Sequence, residues 1–345
     1  MSRKFYFIFI VLISIISSCS TDVDLNSDWK ETPIVFGLLE PQNDVQYIRI
    51  NKSFLGSADA YQMAQVADSS NYPYKLDVSV QKVINGNVVK TYYLDTVTKP
   101  GMGEGIFAND KNLVYFFNTP LTSDPINTDA EYRLLIKNPV TGLEVNSKTT
   151  IAKKAELSKP YINLSSPQIS FYTYNGYSEI EFEWLSSLNA RIFQLYLRFN
   201  YVEYHPGSND SVQKYFDLNL GQFKAPSSNG GFKISTKLNG QSFYDLLSDN
   251  IAIDPSIRRK IGRLSNPQDQ IDIMIYAAGD DLSTYMEVNA PSNSIVQDKP
   301  NFSNIGNGLG LFSSRTLKTI PNVRLKTESY LHLKSYEKTE VLNFD

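Results

Sequence analysis

The stretch from Leu76 to Leu94 limits the fold more than any other part of the chain. Leu76, Val78 and Val80 fall on one face of a period-two run that continues to Ile84. Asn85-Gly86 follows, and Val88 to Leu94 returns. Alternation of this kind puts apolar side chains on one side of a strand. Asn-Gly supplies the two residues that accept positive φ in a tight hairpin. The same grammar recurs nearby. Ile34, Phe36 and Leu38 alternate, the chain turns at Pro41 to Asp44, and Val45 to Ile50 reads as the partner strand. Tyr132, Leu134 and Ile136 alternate as well, Pro139 to Gly142 turns, and Val145 to Ile151 returns.

Repeated hairpins with no helical period between them predict a mainly β protein. Residues 32–153 are expected to form an immunoglobulin-like β-sandwich domain. Within it, residues 55–72 read as a long loop with a helical turn around Ala60 to Val66. Residues 154–168 lose periodicity, contain two prolines and read as a linker. Residues 169–345 are expected to form a second β-rich α+β domain with a few short helices. Its expected strands are Glu179 to Trp184, Arg191 to Tyr204, Lys214 to Leu220, Phe232 to Leu238, Ile271 to Ala278, Leu309 to Phe312 and Val323 to Leu325. Its expected helices are Gln241 to Leu247, Pro255 to Arg263, a stretch from Gly279 through Met286, and Glu328 to Lys334. Asp254 before Pro255 is the pattern of a helix N-cap followed by proline at the first helical position.

Composition agrees with a folded β-rich chain. The sequence holds 22 Tyr and 19 Phe, and only 20% of its residues are charged; aromatic and β-branched residues favour half-buried pleated surfaces. A formal net charge of −3 without a basic block argues against nucleic acid as a partner.

The N-terminus carries a different signal. Arg3 and Lys4 precede a greasy run from Phe5 to Ile16, and then Ile16-Ser17-Ser18-Cys19. The run suits a signal-peptide core and is too short to span a bilayer as a helix. A branched apolar residue, two small residues and cysteine resemble the lipobox of bacterial lipoproteins, so residues 1–18 read as a signal peptide and Cys19 as the lipid-bearing residue. Cys19 is the only cysteine, which excludes an intramolecular disulfide. One acyl chain binds a membrane only marginally, and each buried methylene adds about 0.8 kcal/mol, so several chains on Cys19 make the attachment durable. Residues 19–31 read as a tether. Asp22 and Asp24 in it resemble the signal that sends Bacteroidetes lipoproteins to the cell surface.

Chemistry-bearing motifs are sparse. The two histidines, His205 and His332, lie far apart, and no zinc spacing is present, so no metal or cofactor is expected. Ser79 to Lys82 fits S-x-x-K, but it sits in a strand and lacks the companion motifs of that chemistry. Asp280 and Asp281 follow a buried strand and read first as helix-capping acids; they are also the acids on which a surface hydrolase would be built. Tyr172, Tyr174, Tyr177, Tyr201 and Tyr204 crowd the start of the second domain and are the candidate ligand contacts, since tyrosines exposed together stack on sugar rings or form protein-contact patches. Asp95-Thr96-Val97 and Asp210-Ser211-Val212 resemble the acceptor tripeptide for O-glycans in exported Bacteroidetes proteins.

The lipobox, the opening VFGLLEPQNDVQYIRINKSF, the hairpin pair and a late segment with Asn304, Ile305, Gly308, Gly310 and Phe312 together resemble Bacteroidetes outer-membrane lipoproteins that carry a domain of unknown function. The resemblance implies an outer-membrane location, surface-exposed or periplasm-facing, beside nutrient-uptake receptors. It brings no catalytic residues. The expected role is non-catalytic binding, of a glycan or of an outer-membrane receptor, with a hydrolase and an adhesin or structural envelope protein as the other classes. The glycines have a plain physical reading: positive φ or close backbone approach where a strand begins.

Overall fold

The computed structural model describes residues 32–53, 70–99, 112–161, 167–208, 210–290 and 301–345. The chain is mainly β, with 51% of residues in strands and 13% in helices. In chain order the first strands are β1 (Pro33–Leu39), β2 (Val45–Lys52), β3 (Asp77–Ile84), β4 (Asn87–Tyr93), β5 (Asp95–Lys99), β6 (Asn112–Asn118), β7 (Glu131–Lys137) and β8 (Glu144–Thr150). There follow β9 (Glu156–Lys159), β10 (Gln168–Ile169), β11 (Tyr172–Thr173), β12 (Gly176–Tyr177), β13 (Glu179–Leu185), β14 (Ile192–Tyr204), β15 (Ser211–Lys224) and β16 (Lys233–Asn239). Helix α1 (Gly240–Asn250), β17 (Arg258–Ile261), β18 (Ile271–Ala278), α2 (Asp280–Asn289), β19 (Leu309–Leu325), α3 (Thr327–Ser335) and α4 (Glu337–Glu340) complete the chain.

Strand β19 is the spine. Its first part, Leu309 to Ser314, runs parallel to β1, and from Arg315 to Val323 it pairs antiparallel with β18. One ten-stranded sheet therefore runs β15-β14-β18-β19-β1-β2-β6-β5, with β10 and β17 attached at its margins. Two smaller sheets complete two lobes. The four-stranded sheet β4-β3-β7-β8 packs on the β1, β2 and β6 part, and the three-stranded sheet β16-β13-β9 packs on the β14 and β18 part.

Each lobe has its own core. Val35, Leu39, Ile48, Val80, Tyr132 and Leu134 are fully buried in the first. Phe182, Trp184, Leu195, Phe199, Phe243 and Ile273 are fully buried in the second. A fully buried side chain of this size contributes about 1.5–3 kcal/mol relative to exposure. The first core also takes Ile305 and Phe312 from the C-terminal part of the chain. The pair of facing sheets expected over 32–153 thus draws one of its strands from outside that range.

Hairpin geometry follows the sequence closely. Asn85 (φ 50°) and Gly86 (φ 82°) form the two-residue connection between β3 and β4. Gly310 has φ 111°, and a Cβ there would stand 2.0 Å from the Val35 carbonyl oxygen. Only glycine lets β19 approach β1 this closely.

Three expectations need correction. Residues 255–263 are not helical. Asp254 Oδ1 accepts from the Ser256 amide (2.9 Å) and hydroxyl (2.6 Å), making a local turn, and Arg258–Ile261 pairs with the end of β14. Arg259 gives the reason. Its buried guanidinium donates to Glu203 Oε1, to the Leu342 carbonyl (2.7 Å) and to the Ala252 carbonyl (2.8 Å), a set of partners available only in the extended conformation. A buried charge left without them would cost far more than local helix preference supplies. The segment read as a linker contains β9, which pairs with β13, and the buried Ala155. The two short closing strands are one strand, continuous through a bulge where Pro321 and Asn322 (φ 61°) oppose Asp272. The turn placed around Ala60 to Val66 lies outside the described residues.

Candidate functional site

The five tyrosines singled out in the sequence do not make one surface. Tyr172 and Tyr177 sit on the small β11–β12 hairpin and close on His332 of α3. The Tyr172 and His332 rings are parallel, with centroids 3.7 Å apart and 1° between planes. Tyr336 covers the other side at 5.2 Å, and His332 Nε2 lies 3.2 Å from the Tyr177 hydroxyl. Tyr244 of α1 meets the imidazole edge-on at 4.8 Å and donates its hydroxyl to the Ser329 carbonyl (3.0 Å). Phe171 stacks on Phe243 at 3.9 Å behind this group.

The arrangement fastens α1, α3 and the hairpin to one another, which is packing work. Burial pushes the Tyr244 hydroxyl far above its ordinary range and pulls His332 down, so the imidazole is neutral at neutral pH. Tyr201 is 7% exposed, inside the second core against Phe199 and Phe344. Tyr204 donates its hydroxyl to Asp345, beneath the Lys260 ammonium. Tyr174 is the most open, 92% exposed at the hairpin tip, and Tyr177 is 36% exposed.

Asp280 and Asp281 occupy the first turn of α2, where helix amides favour negative charge. Neither makes a side-chain cap bond, because the N-cap is Gly279. Asp280 accepts from the Ser228 hydroxyl at 2.5 Å and lies 4.0 Å from Arg191 Nε. Burial holds the Asp281 carboxyl above the usual range, and the Asp280 charge adds to this; an Asn304 hydrogen bond opposes both. Among the described residues, no three His, Cys, Asp or Glu side chains group in a way that could hold a metal ion. Ser79 and Lys82, three apart on β3, point to opposite faces.

The late segment with Asn304 and its glycines is architectural. Asn304 Nδ2 donates to the Phe312 carbonyl (2.7 Å), its Oδ1 accepts from the Phe312 amide (2.9 Å), and its own carbonyl accepts from Ser147 (2.7 Å). One side chain thus copies a strand pairing and delivers Phe312 to the first core. Of the two O-glycan-like tripeptides, Thr96 lies on the edge strand β5, and Ser211 is exposed at the tip of the β14–β15 hairpin. Cys19, Ile16, Ser17 and Ser18 lie outside the described residues. Among the described residues, no helix is long and apolar enough to cross a membrane.

No sequence motif marks the outer face of the ten-stranded sheet. Phe36 (40% exposed), Tyr47 (38%), Val97 (36%) and Leu309 (47%) point away from the core. Phe36 meets Tyr285 of α2 edge-on at 5.8 Å, Tyr47 lies 6.4 Å from Phe116, and the Lys99 ammonium stands 4.0 Å over the Tyr47 ring. Between sheet and helix is a hollow of about 420 Å³ lined by Phe36, Leu38, Glu40, Tyr47, Leu282 and Tyr285. Glu40 Oε1 accepts two hydrogen bonds from Arg315 (2.9 and 2.7 Å), and beyond this pair lies a polar hollow of about 280 Å³ that includes Gln194, Tyr196, Asp217 and Tyr276. The two hollows share the ion pair as their partition, at the junction of the lobes. A signal was present in β1, where Pro33–Leu39 is apolar on both faces, unlike a strand with one wet side.

No protein-family model matches the sequence, and no curated protein matches it.

Proposed function

We propose that the protein is a lipid-anchored component of the outer membrane whose work is binding, in an accessory role beside a nutrient-uptake receptor. The observation that carries the location is Ile16-Ser17-Ser18-Cys19 after a short greasy run. The face that supports binding is the aromatic one on β1 and β2. Its strand begins directly after the tether 19–31, which reaches about 45 Å when fully extended. An apolar face held at that distance from the lipid meets proteins that are themselves in the membrane. Exposed Phe36 and Tyr47 are the residue types that anchor such contacts.

The test has two arms. Radiolabelled fatty acid joins the wild-type protein and not Cys19→Ser, and the variant leaves the membrane fraction; unchanged labelling sinks the anchor. Crosslinking in intact cells, followed by purification, recovers a barrel-type receptor with the wild type and far less with Phe36→Glu; equal recovery sinks the contact face.

A hydrolase built on Asp280 and Asp281 is a second reading, favoured by one observation. Burial raises the Asp281 carboxyl above the usual carboxylate range, the direction in which a general acid is tuned. Turnover of glycan or peptide libraries that disappears in Asp281→Asn would establish it.

A further inference from the structure

A hollow of about 600 Å³ lies on the opposite side of the first lobe, over the outer face of β4-β3-β7-β8. That volume falls within the roughly 300–1,000 Å³ of small-ligand sites. Its floor is one register row across all four strands: Tyr93 opposite Ser79, Ser79 opposite Leu135, Leu135 opposite Asn146. The neighbouring row is Asp77, Lys137 and Glu144, and Lys75 stands at the rim beside Tyr93. The alternate residues Val78, Tyr92, Ile136 and Val145 are buried on the other side of the sheet, so the row faces solvent.

Tyr93 is the unusual member. It is 83% exposed on a regular strand, and Leu135 beside it is 38% exposed. Among the described residues, no ring contact or hydroxyl hydrogen bond engages Tyr93. Its ring contributes nothing to the core, which Tyr92 on the same strand already serves by packing against Phe117 at 4.9 Å. The charged side chains that line it are Lys75, Lys137, Asp77 and Glu144, two of each sign; Lys137 pairs with Glu144 at 3.6 Å, and Lys75 also pairs at 2.7 Å with Asp95, which lies outside the lining. The floor therefore offers an apolar ring and an apolar side chain, flanked by a hydroxyl, an amide and balanced charges.

We propose that this shelf binds a neutral oligosaccharide. A pyranose presents a face of C–H groups with hydroxyls around its rim. The face stacks on Tyr93 and Leu135, and the rim exchanges hydrogen bonds with Ser79, Asn146, Asp77 and Lys137. An acidic or basic ligand gains little from a floor whose charges cancel. Strand spacing of about 4.8 Å sets the polar groups at intervals along an extended chain. The proposal does not rest on the anchor at Cys19, and it concerns a different face from the one proposed for a receptor.

The test uses the full-length protein in a non-glycosidic detergent, titrated by calorimetry with neutral gluco-, manno- and xylo-oligosaccharides, with uronic-acid oligomers and with an unstructured acidic peptide. At least one neutral series is expected to bind, with affinity reduced tenfold or more in Tyr93→Ala and retained within threefold in Tyr93→Phe. Asn146→Ala is expected to weaken it several-fold. Tyr93 is solvated, so these variants should melt as the wild type does. The proposal is overturned if no neutral series binds at millimolar concentration, if Tyr93→Ala binds as well as wild type, or if the peptide or the uronic acids bind at Tyr93 in preference. Loss of the Cys19 label would leave each of these outcomes readable.

Discussion

The two lobes use the same aromatic residues in opposite ways. In the second, Tyr172, Tyr177, Tyr244 and Tyr336 gather around His332, and the hydroxyls of Tyr244, Tyr336 and Tyr177 are spent on Ser329, Asp245 and the imidazole. In the first, Phe36, Tyr47 and Tyr93 stand on strand faces that point to solvent. Crowding of tyrosines along a sequence therefore marks the place where rings satisfy each other. Rings left for something else stand on strands whose other face already fills a core: Phe36 beside Tyr285 at 5.8 Å, Tyr47 beside Phe116 at 6.4 Å, and Tyr93 with no ring neighbour among the described residues. The lesson is about exposure: a ring covered by its neighbours, as Tyr244 is, has its contact energy inside the fold, and a ring left open to solvent, as Tyr93 is, has it still to give.

The largest effect that sharpens this contrast is expected at Tyr244, which is fully buried. Tyr244→Ala should cost about 3–5 kcal/mol, read as a lower denaturation midpoint at unchanged slope. A loss below 1 kcal/mol would break the claim that these rings are structural. Next is Gly310→Ala at the lobe junction, where φ is 111° and the Val35 carbonyl blocks a Cβ; about 2–4 kcal/mol is expected. Tyr47→Ala, on the open side of the comparison, should change stability by no more than about 1 kcal/mol, while reducing receptor recovery in the crosslinking assay. Tyr336→Phe removes only the hydroxyl that donates to Asp245 at 3.0 Å and should cost about 0.5–1.5 kcal/mol.

The smallest effect is a pH slope. Burial lowers the His332 pKa in the folded protein, so the unfolded chain takes up the proton first. Stability from this residue is full above the unfolded value near 6.5, falls as pH drops below it, and levels off beneath the folded value. Denaturation midpoints at pH 7.5 and 5.5 should differ less in His332→Gln than in wild type. Equal differences would show that the ring stack does not exclude the charge.

Much of the fold was legible because its signals are local. Period-two alternation and Asn85-Gly86 mark a hairpin whose residues touch within a few positions, and Asp280-Asp281 after a buried strand marks the start of α2. What was not legible depends on distant partners. Arg259 keeps Arg258–Ile261 extended through Glu203 and Leu342, 56 and 83 residues away. The continuity of β19 depends on β1 and β18, which no pattern within Leu309–Leu325 names. The candidate site divides along the same line. The row Tyr93, Ser79, Leu135 and Asn146 exists only once two hairpin registers and the long-range pairing of β3 with β7 are fixed, so its members carry no shared spacing in the sequence. Tyr172 and Tyr177, by contrast, were visible as a cluster, and only His332 and Tyr244 reveal that its rings pack on one another.

Strand β1 has on one side a neighbour from far along the chain, and the Glu40 and Arg315 of their ion pair are separated by 275 residues. A sheet that joins segments so distant closes late, because so long a loop is slow to form. Until then β1 shows a bare row of amides and carbonyls to its surroundings. A shortened chain ending before Leu309 should therefore aggregate through β1 rather than fold as a smaller version of the whole.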